Sequence, residues 1–339
     1  MSVMEGLPMA RKCKSSSCTR RAAVAATLAS TASWTAPAMV QALAGSDFDD
    51  HLVVRHRRVA VNDIEIFYRE AGHPEAPAVL LLHGFPTSSH MFRHLIPALA
   101  GRYRVIAPDY PGFGFSAFPV TTQLAHTFAA YADIIEDFVE AVGLARFMLY
   151  IQDYGAPIGL RLALKRPERI AGIIAQNGNA YEEGLSEGWG PLKKYWRDPT
   201  PENRKALMGW LGPDGLKLQY LAGLPAESIE RIAPENWLID QHFMQGEERL
   251  NLHLDLFADY KANVELYPAF QAYFRKHQPP MLIVWGQHDP FFTIAGARAY
   301  LRDLPRAQLH LLDASHFVLE TQAPVAIALI KEYLAKTIS

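Results

Sequence analysis

The most informative segment of the chain is residues 147–159, Phe-Met-Leu-Tyr-Ile-Gln-Asp-Tyr-Gly-Ala-Pro-Ile-Gly. An apolar run of strand length leads into a sharp turn, and a helical pattern follows. Strand, tight turn and helix in this order are typical of a nucleophile elbow, which exposes one side chain above a sheet. Asp153 occupies that position, and carboxylates are established covalent nucleophiles. An Asp here could instead cap the helix that starts near Gly155, so the interpretation depends on further motifs.

The loop after an earlier predicted strand reads His83-Gly84-Phe85-Pro86. In a fold with a nucleophile elbow, this loop supplies one backbone N–H of the oxyanion hole, and the residue after the nucleophile supplies the other. These positions are Phe85 and Tyr154, so we expect their amides to bind a developing oxyanion. Removing one such donor typically slows a reaction by about 10²- to 10³-fold. A tight turn without a catalytic role is the other interpretation of this loop.

Two more motifs end predicted strands further along the chain. Asp289 lies in Trp285-Gly-Gln-His-Asp-Pro, and His316 lies in Leu312-Asp-Ala-Ser-His-Phe. The chain order nucleophile, acid, histidine is the order that this fold uses. We expect His316 to remove a proton from water, and Asp289 to orient the ring and stabilise its cationic form. The alternatives nearby are His288, His310 and Asp313.

Strand-like and helix-like segments alternate from residue 53 onward. Val53–Val61 and Ile64–Tyr68 predict a hairpin with Asn62-Asp63 as its turn. Later apolar runs predict strands that are buried on both faces, separated by helical patterns. The predicted strands are Val79–His83, Arg104–Ala107, Phe147–Ile151, Ile170–Ala175, Met281–Trp285 and Gln308–Leu312, and the predicted helices are His90–Ala100, Phe128–Val142, Ala156–Lys165, Ala295–Leu304 and Ala323–Ala335. The alternation predicts an α/β fold, with a mostly parallel sheet and helices on both faces.

Residues 178–268 interrupt the alternation. They lack clear buried-strand patterns and contain Trp189, Trp196, Trp210 and Trp237, which are four of the six tryptophans. We predict an inserted helical cap here, on an α/β core formed by residues 45–177 and 269–339. Ligands of open α/β sheets bind beyond the carboxyl ends of the strands, where such a cap would close an apolar pocket. Trp189 and Trp196 are the predicted substrate-binding residues.

The first 44 residues have the pattern of an export signal. A basic, Ser-rich start ends in the pair Arg20-Arg21, an apolar stretch follows from Ala22 to about Ala32, and Ala42-Leu43-Ala44 resembles a cleavage site. The twin arginine favours the bacterial pathway for folded proteins. We therefore expect a periplasmic or secreted protein, cleaved near Ala44. A disordered leader or a misplaced start codon is the alternative.

Composition and charge exclude several classes of function. The chain has 339 residues, 50% of them hydrophobic, and a net charge of −2 from 33 basic and 35 acidic residues. This is ordinary globular composition, and it gives no reason to expect a nucleic acid partner. The sequence has no apolar run long enough to insert into a membrane, no metal-ligand motif and no phosphate-binding loop in the right context. We expect neither a metal nor another cofactor, and the sequence does not indicate an oligomeric state.

Residues 53–337 resemble the α/β-hydrolase superfamily through these motifs taken together. The Asp at the nucleophile position, with His-Gly-Phe-Pro and Gln152-Asp153-Tyr154-Gly155, resembles the branch that contains epoxide hydrolases and haloalkane dehalogenases. The resemblance implies a small apolar organic substrate, water as second substrate, and an alkyl-enzyme ester on Asp153.

The two activities of this branch differ in how the leaving group is stabilised. The dehalogenases bind the halide with N–H donors, usually a Trp directly after the nucleophile plus an Asn in the His-Gly loop or a Trp in the cap. Here Tyr154 and Phe85 hold the first two positions, although Trp189 or Trp196 could supply one donor. The epoxide hydrolases use two cap tyrosines, because a phenol can donate while neutral at pH 7. The resemblance assigns these roles to Tyr260 and Tyr195, with Tyr181 and Tyr220 as rivals of the latter.

The sequence therefore predicts a cofactor-independent epoxide hydrolase. The first alternative is a haloalkane or haloacid dehalogenase with the same nucleophile. The second is a carboxylic ester hydrolase that uses Ser186, because Gly184-Leu-Ser186-Glu-Gly188 matches a serine-nucleophile motif. The surroundings of Ser186 are polar and not strand-like, which disfavours that match. A binding module without activity is a third alternative, but it would not need a base such as His316.

Overall fold

The computed structural model describes residues 49–118 and 124–338. The predicted export signal at residues 1–44 lies outside the described residues and stays a prediction. Within the described ranges, no helix is long and apolar enough to cross a membrane.

Eight strands form one sheet, and most of its strands are parallel. They are β1 (Arg55–Val61), β2 (Ile64–Ala71), β3 (Ala78–Leu82), β4 (Arg104–Pro108), β5 (Phe147–Gln152), β6 (Ile170–Gln176), β7 (Met281–Gly286) and β8 (Gln308–Leu312). Their order across the sheet is β1-β2-β4-β3-β5-β6-β7-β8. The pairs β1–β2 and β2–β4 are antiparallel, and the other neighbouring pairs are parallel. The predicted fold class is thereby confirmed.

The hairpin of β1 and β2 turns at Asn62 and Asp63, as the sequence predicts. Both residues have left-handed backbone angles, with φ of 47° and 65°. Two successive left-handed residues form the turn whose twist matches that of a two-stranded ribbon, and Asn and Asp tolerate this conformation better than most residues.

Twelve α-helices are found in the described part of the chain. They are α1 (Leu95–Leu99), α2 (Phe128–Ala141), α3 (Gly155–Lys165), α4 (Gly190–Arg197), α5 (Pro201–Ala206), α6 (Pro213–Leu221), α7 (Ala226–Ile229), α8 (Glu235–Phe243), α9 (Glu247–His277), α10 (Ile294–Asp303), α11 (Val318–Thr321) and α12 (Ala323–Thr337). The predicted helix His90–Ala100 is shorter, because a 3₁₀ turn over Ser89–Phe92 precedes α1.

The sheet separates two apolar layers. Along β3, Val79 and Leu81 belong to one hydrophobic cluster, while Leu80 and Leu82 belong to the other. This is the period-two alternation of a strand, and here both faces are covered. The cluster that contains Leu80 and Leu82 continues into the helices between β6 and β7.

The segment between β6 and β7 contains α4 to α9, and we call it the cap. Its last helix, α9, has 31 residues and includes Pro268. The predicted cap boundary at residue 268 therefore falls inside a continuous helix. Proline removes one backbone donor and usually kinks or ends a helix, but here the helix runs on to His277.

Candidate active site

The carboxyl ends of β3, β5, β6, β7 and β8 lie along one edge of the sheet, because these strands are parallel. The loops that leave this edge carry His83–Phe85, Asp153, Asn177, Asp289 and His316. A parallel sheet thus gathers residues that are far apart in sequence, and this is where open α/β sheets bind ligands.

Asp153 lies in a strained turn between β5 and α3. Its φ is +46°, a left-handed conformation that non-glycine residues rarely adopt. The neighbouring glycines make this turn possible. A Cβ on Gly155 would lie 2.2 Å from the carbonyl oxygen of Leu82, and a Cβ on Gly84 would lie 2.2 Å from the Cβ of Asp153. Backbone strain of this kind is kept where the surrounding structure enforces it, often at functional sites.

The carboxylate of Asp153 is bound by one of the two backbone amides that the sequence predicts for an oxyanion hole. The amide of Phe85 donates to Oδ1 at 2.6 Å. Burial raises the pKa of Asp153 to about 6, against the opposing effects of His316 and of the amides of Phe85 and Tyr154. A buried carboxylate that is still largely ionised at pH 7 is suited to act as a nucleophile.

His316 lies between the two carboxylates. Its Nδ1 is 2.8 Å from Oδ2 of Asp289, and its Nε2 is 3.9 Å from Oδ2 of Asp153. Burial lowers the pKa of His316, but the carboxylates of Asp289 and Asp153 outweigh this effect and raise the pKa above its usual value. The structure thus brings the three predicted residues together. One ring nitrogen, Nδ1, faces Asp289, and the other, Nε2, faces Asp153.

Asp289 is fully supplied with hydrogen bonds. Its Oδ1 accepts from the amides of Phe291 at 2.7 Å and Phe292 at 3.1 Å, and its Oδ2 accepts from Asn177 at 2.6 Å as well as facing His316. Bonds of this kind fix the orientation of a carboxylate. Asp289 is therefore arranged to orient the ring of His316.

Sequence reasoning missed Asn177, which connects the nucleophile to the acid. Its side chain donates to Asp289, its side-chain oxygen accepts from the amide of Gly286 at 2.9 Å, and its carbonyl oxygen accepts from the amide of Asp153 at 3.3 Å. Its φ is +45°. The signal available in the sequence was its position. Asn177 lies two residues after the predicted strand Ile170–Ala175, in Gln-Asn-Gly.

A narrow cavity of about 30 Å³ lies between the nucleophile turn and the cap. Its lining is mainly aromatic and apolar, and consists of Phe85, Asp153, Tyr154, Trp189, Leu192, Trp210, Gln219, Phe257, Tyr260 and Phe291. An apolar pocket with few polar groups is typical of sites for small organic molecules. Asp153 is the one acidic residue of this lining.

The two predicted tryptophans use their N–H groups within the protein. The indole N–H of Trp189 donates to the carbonyl of Phe291 at 2.9 Å, and that of Trp196 donates to the carbonyl of Phe257 at 2.8 Å. Trp189 lines the cavity, whereas Trp196 packs parallel to the ring of Tyr260, with centroids 6.3 Å apart. Neither N–H is thus available to a bound halide in this conformation.

Tyr260 lines the cavity beside Asp153, as the family resemblance implies. Its hydroxyl is buried and forms no hydrogen bond of good geometry with the described residues. Burial raises the pKa of Tyr260 well above 10, and the neighbouring Tyr267 and Asp153 raise it further. The group is therefore a neutral proton donor, and the hydroxyl of Tyr267 is the polar group next to it.

Tyr195, the second predicted proton donor, lies on α4 and is not among the residues that line the cavity. The second phenol of the lining belongs to Tyr154, whose hydroxyl is also buried and has no hydrogen-bond partner in the described chain. The rivals Tyr181 and Tyr220 donate to Asp303 and Asp240, respectively.

Ser186 is held in a turn away from any strand end. Its hydroxyl donates to the carbonyl of Pro290 at 2.6 Å and accepts from the amide of Gly188 at 3.1 Å. This side chain caps a 3₁₀ turn, Glu187–Trp189, and does not lie in an elbow.

Across residues 49–118 and 124–338, no group of three or more His, Cys, Asp or Glu side chains is placed to bind a metal ion.

Comparisons with known proteins agree with this fold. A family model described as alpha/beta hydrolase fold matches residues 77–323. An uncharacterized hydrolase of Saccharomyces cerevisiae is 44% identical over 283 residues, covering 82% of this chain and 96% of the yeast protein. A haloalkane dehalogenase of Mycobacterium marinum is 29% identical over 305 residues, covering 86% of this chain and 95% of the relative. The crystal structure of a loop variant of haloalkane dehalogenase DbeA from Bradyrhizobium elkanii is similar with a TM-score of 0.70 and 22% identity, over 84% of this chain and 97% of that one.

Proposed function

The chain belongs to the alpha/beta hydrolase fold family, and we propose that it hydrolyses epoxides to vicinal diols through an alkyl-enzyme ester on Asp153. The family and the curated relatives support a hydrolase. The choice of an epoxide rests on one observation, the buried and neutral hydroxyl of Tyr260 in a cavity that also contains Asp153. The remaining geometry supplies a base for hydrolysis of the ester.

In the first half-reaction, Asp153 attacks a ring carbon of the epoxide. Its Oδ1 is bound by the amide of Phe85, so Oδ2 is the nucleophilic oxygen. As the new C–O bond forms, the bond from the same carbon to the ring oxygen breaks, and the ring oxygen takes the phenolic proton of Tyr260. Tyr154, the other phenol of the lining, is in place to donate a hydrogen bond to the same oxygen.

In the second half-reaction, His316 accepts a proton from water through Nε2. The resulting hydroxide attacks Cγ of Asp153, and negative charge builds up on Oδ1 against the amides of Phe85 and Tyr154. The Cγ–Oδ2 bond then breaks, and the departing alkoxide takes the proton from His316 to give the diol. The regenerated carboxylic acid of Asp153 returns a proton to Tyr260. The sum is epoxide plus water to diol.

Dehalogenation is the second candidate, and one further residue favours it. Trp210 lines the cavity and is half-buried. An indole N–H can stabilise a departing halide, and the relatives named haloalkane dehalogenases fit that chemistry. Both candidates share Asp153, His316 and Asp289 and differ only in the group that receives the leaving atom.

A single turnover in H₂¹⁸O tests the proposed reaction. With enzyme in excess over an epoxide such as styrene oxide, the diol should contain no ¹⁸O, because its new oxygen is Oδ2 of Asp153. The label should instead appear in the peptide that contains Asp153. A labelled diol with an unlabelled Asp153 would mean direct attack by water, and the ester mechanism would be wrong.

Paired variants distinguish the two candidate leaving groups, the epoxide oxygen and a halide. We expect Tyr260→Phe to reduce diol formation from styrene oxide, and Trp210→Phe to leave it nearly unchanged. If the protein is a dehalogenase, halide release from 1-bromohexane should exceed diol formation and should fall in Trp210→Phe. Bromide measured by ion chromatography and diol measured by chromatography give the two rates on the same enzyme.

A further inference from the structure

Gln152, the last residue of β5, directly contacts the base. It is fully buried, and its side-chain Nε2 is 2.9 Å from Nε2 of His316. Its side-chain Oε1 is buried and has no hydrogen-bond partner in the described chain. An orphaned buried amide oxygen is costly and uncommon, so it requires an explanation.

The contact suits only one protonation state of His316. When the ring is neutral, its Nδ1–H points to Asp289, and Nε2 has a lone pair that accepts from the amide of Gln152. After the ring takes a proton from water, Nε2 carries a hydrogen, and two donors would face each other. A half-turn of the amide about its last torsion removes this clash, because it exchanges the NH₂ group for Oε1 with little change in shape.

We propose that Gln152 is a positioning residue for His316, whose side-chain oxygen accepts a hydrogen bond from the protonated ring during hydrolysis of the ester. The inference rests on the proposed function in one respect, since the ring is taken to be protonated in that step. In the resting state, the NH₂ group of the same amide occupies the lone pair of Nε2, and the attacking water takes its place there before the ring is protonated. The Oε1 atom, which has no partner in the resting state, is thus the acceptor that the protonated ring requires.

The charges around the ring explain why this acceptor matters in the ester. The charged groups that face His316 are the carboxylates of Asp289 and Asp153, and the rings of Phe291, Phe292 and Phe317 pack against it. Esterification makes Asp153 neutral. Asp289 then supports the ring at Nδ1, and among the described side chains Gln152 is the polar contact that remains at Nε2, beside the attacking water. Hydrogen bonds to a charged partner are about twice as strong as neutral ones.

An NMR titration of His316 tests the proposal without a substrate. We expect Gln152→Leu, which removes the acceptor, to lower the pKa of His316 by about one unit, a tenfold change in the protonation equilibrium. Gln152→Glu, which offers a stronger acceptor, should raise it. Tyr150→Phe is the matched control, because it removes a buried hydrogen bond from the same strand, to Gln176, without touching the ring; it should leave the pKa unchanged. An unchanged or raised pKa in Gln152→Leu overturns the proposal, as does a lowered one in Gln152→Glu.

Single-turnover kinetics then separate this inference from the proposed function. In Gln152→Leu, we expect formation of the Asp153 ester at the wild-type rate and hydrolysis of the ester about tenfold slower, so that the ester accumulates. Equal slowing of both steps would indicate a general structural defect and would overturn the positioning role. If no ester forms in any variant, the His316→Gln variant included, the proposed function is wrong. The titration still decides whether Gln152 supports the protonated ring.

Discussion

The sheet edge and the cap hold their polar groups in opposite ways. At the edge, Asp289 is surrounded by four hydrogen-bond partners. In the cap, the hydroxyl of Tyr260 forms no hydrogen bond of good geometry within the described chain, and its ring packs against Trp189, with centroids 4.6 Å apart. The edge therefore presents a fixed catalytic geometry, while the cap leaves its donor unused until a substrate arrives.

This difference divides the chemistry between the two regions. The nucleophile, base and acid lie on loops that are fixed by the strands below them, and such preorganised groups carry most of the rate. The group that receives the leaving atom lies on α9. Loss of the nucleophile at the edge should thus abolish the reaction, whereas changes in the cap should slow ester formation or alter which substrates react.

The largest effect should come from the edge, in Asp153→Asn. We expect turnover to fall by at least about 10⁴-fold, because an amide cannot form the ester. The variant should also unfold at a higher temperature at pH 8. The folded-state pKa of about 6 lies above the ordinary 3.8, so ionisation of Asp153 costs stability as pH rises through this range. Relief of this cost is worth about 3 kcal/mol at most. Loss of activity with loss of stability would point to misfolding instead.

A smaller effect is expected from the cap, in Tyr260→Phe. Loss of the proton donor should slow ester formation from an epoxide by about 10²-fold, within the usual range for general acids. Tyr103→Phe is the matched control, because its hydroxyl is also buried and unpartnered within the described ranges but does not line the cavity. Rapid-quench measurement of the first half-reaction gives both rates. An equal loss in the two variants would remove Tyr260 from the reaction.

The pH dependence of ester formation should again reflect a group at the sheet edge. Attack requires the carboxylate of Asp153, so ester formation should fall about tenfold per pH unit below about 6, where burial places its pKa. The same acid limb of the pH profile should appear in Tyr260→Phe, because the hydroxyl of Tyr260 stays neutral throughout this range. A limb near the ordinary pKa of 3.8 would mean that the nucleophile is not desolvated in solution.

The smallest effect should be a change of preference, in Leu192→Ala. This cap residue lines the cavity and makes no polar contact, so its truncation enlarges the pocket beside Asp153. We expect kcat/KM for a bulky epoxide to rise about tenfold relative to a small one, since one methylene group in an apolar pocket is worth about 1–3 kcal/mol. The acid limb of the pH profile should not move. A shifted limb would show that cap and edge are coupled.

The same division explains what the sequence could predict. Asp153, Asp289 and His316 follow apolar runs and tight turns, which are local patterns, and a parallel sheet brings such strand ends together. The loop at Phe85 could be predicted for the same reason. Asn177 and Gln152 adjoin predicted motifs, but the direction of their side chains depends on pairing with β7 and β8, which the pattern does not specify.

The cap was harder to predict because helix packing between distant segments decides it. Tyr260 and Tyr195 both match the family pattern, yet only Tyr260 lines the cavity. Two indole groups that the sequence offers as donors, in Trp189 and Trp196, are satisfied by backbone carbonyls. The continuous helix of 31 residues through Pro268 was equally hard to predict, because proline usually ends a helical pattern.

The most direct test of the Asp153 ester is an intact mass measurement on His316→Gln after exposure to styrene oxide and, separately, to 1-bromohexane. Without the base, the first half-reaction can proceed while hydrolysis stops. We expect a mass gain equal to the whole epoxide, with the modified peptide mapped to Asp153. A gain from the bromoalkane alone, equal to its mass less that of HBr, would keep the nucleophile and replace the epoxide by a halide. An adduct on another residue such as Ser186, or none from either compound, would contradict Asp153 as the nucleophile for these substrates.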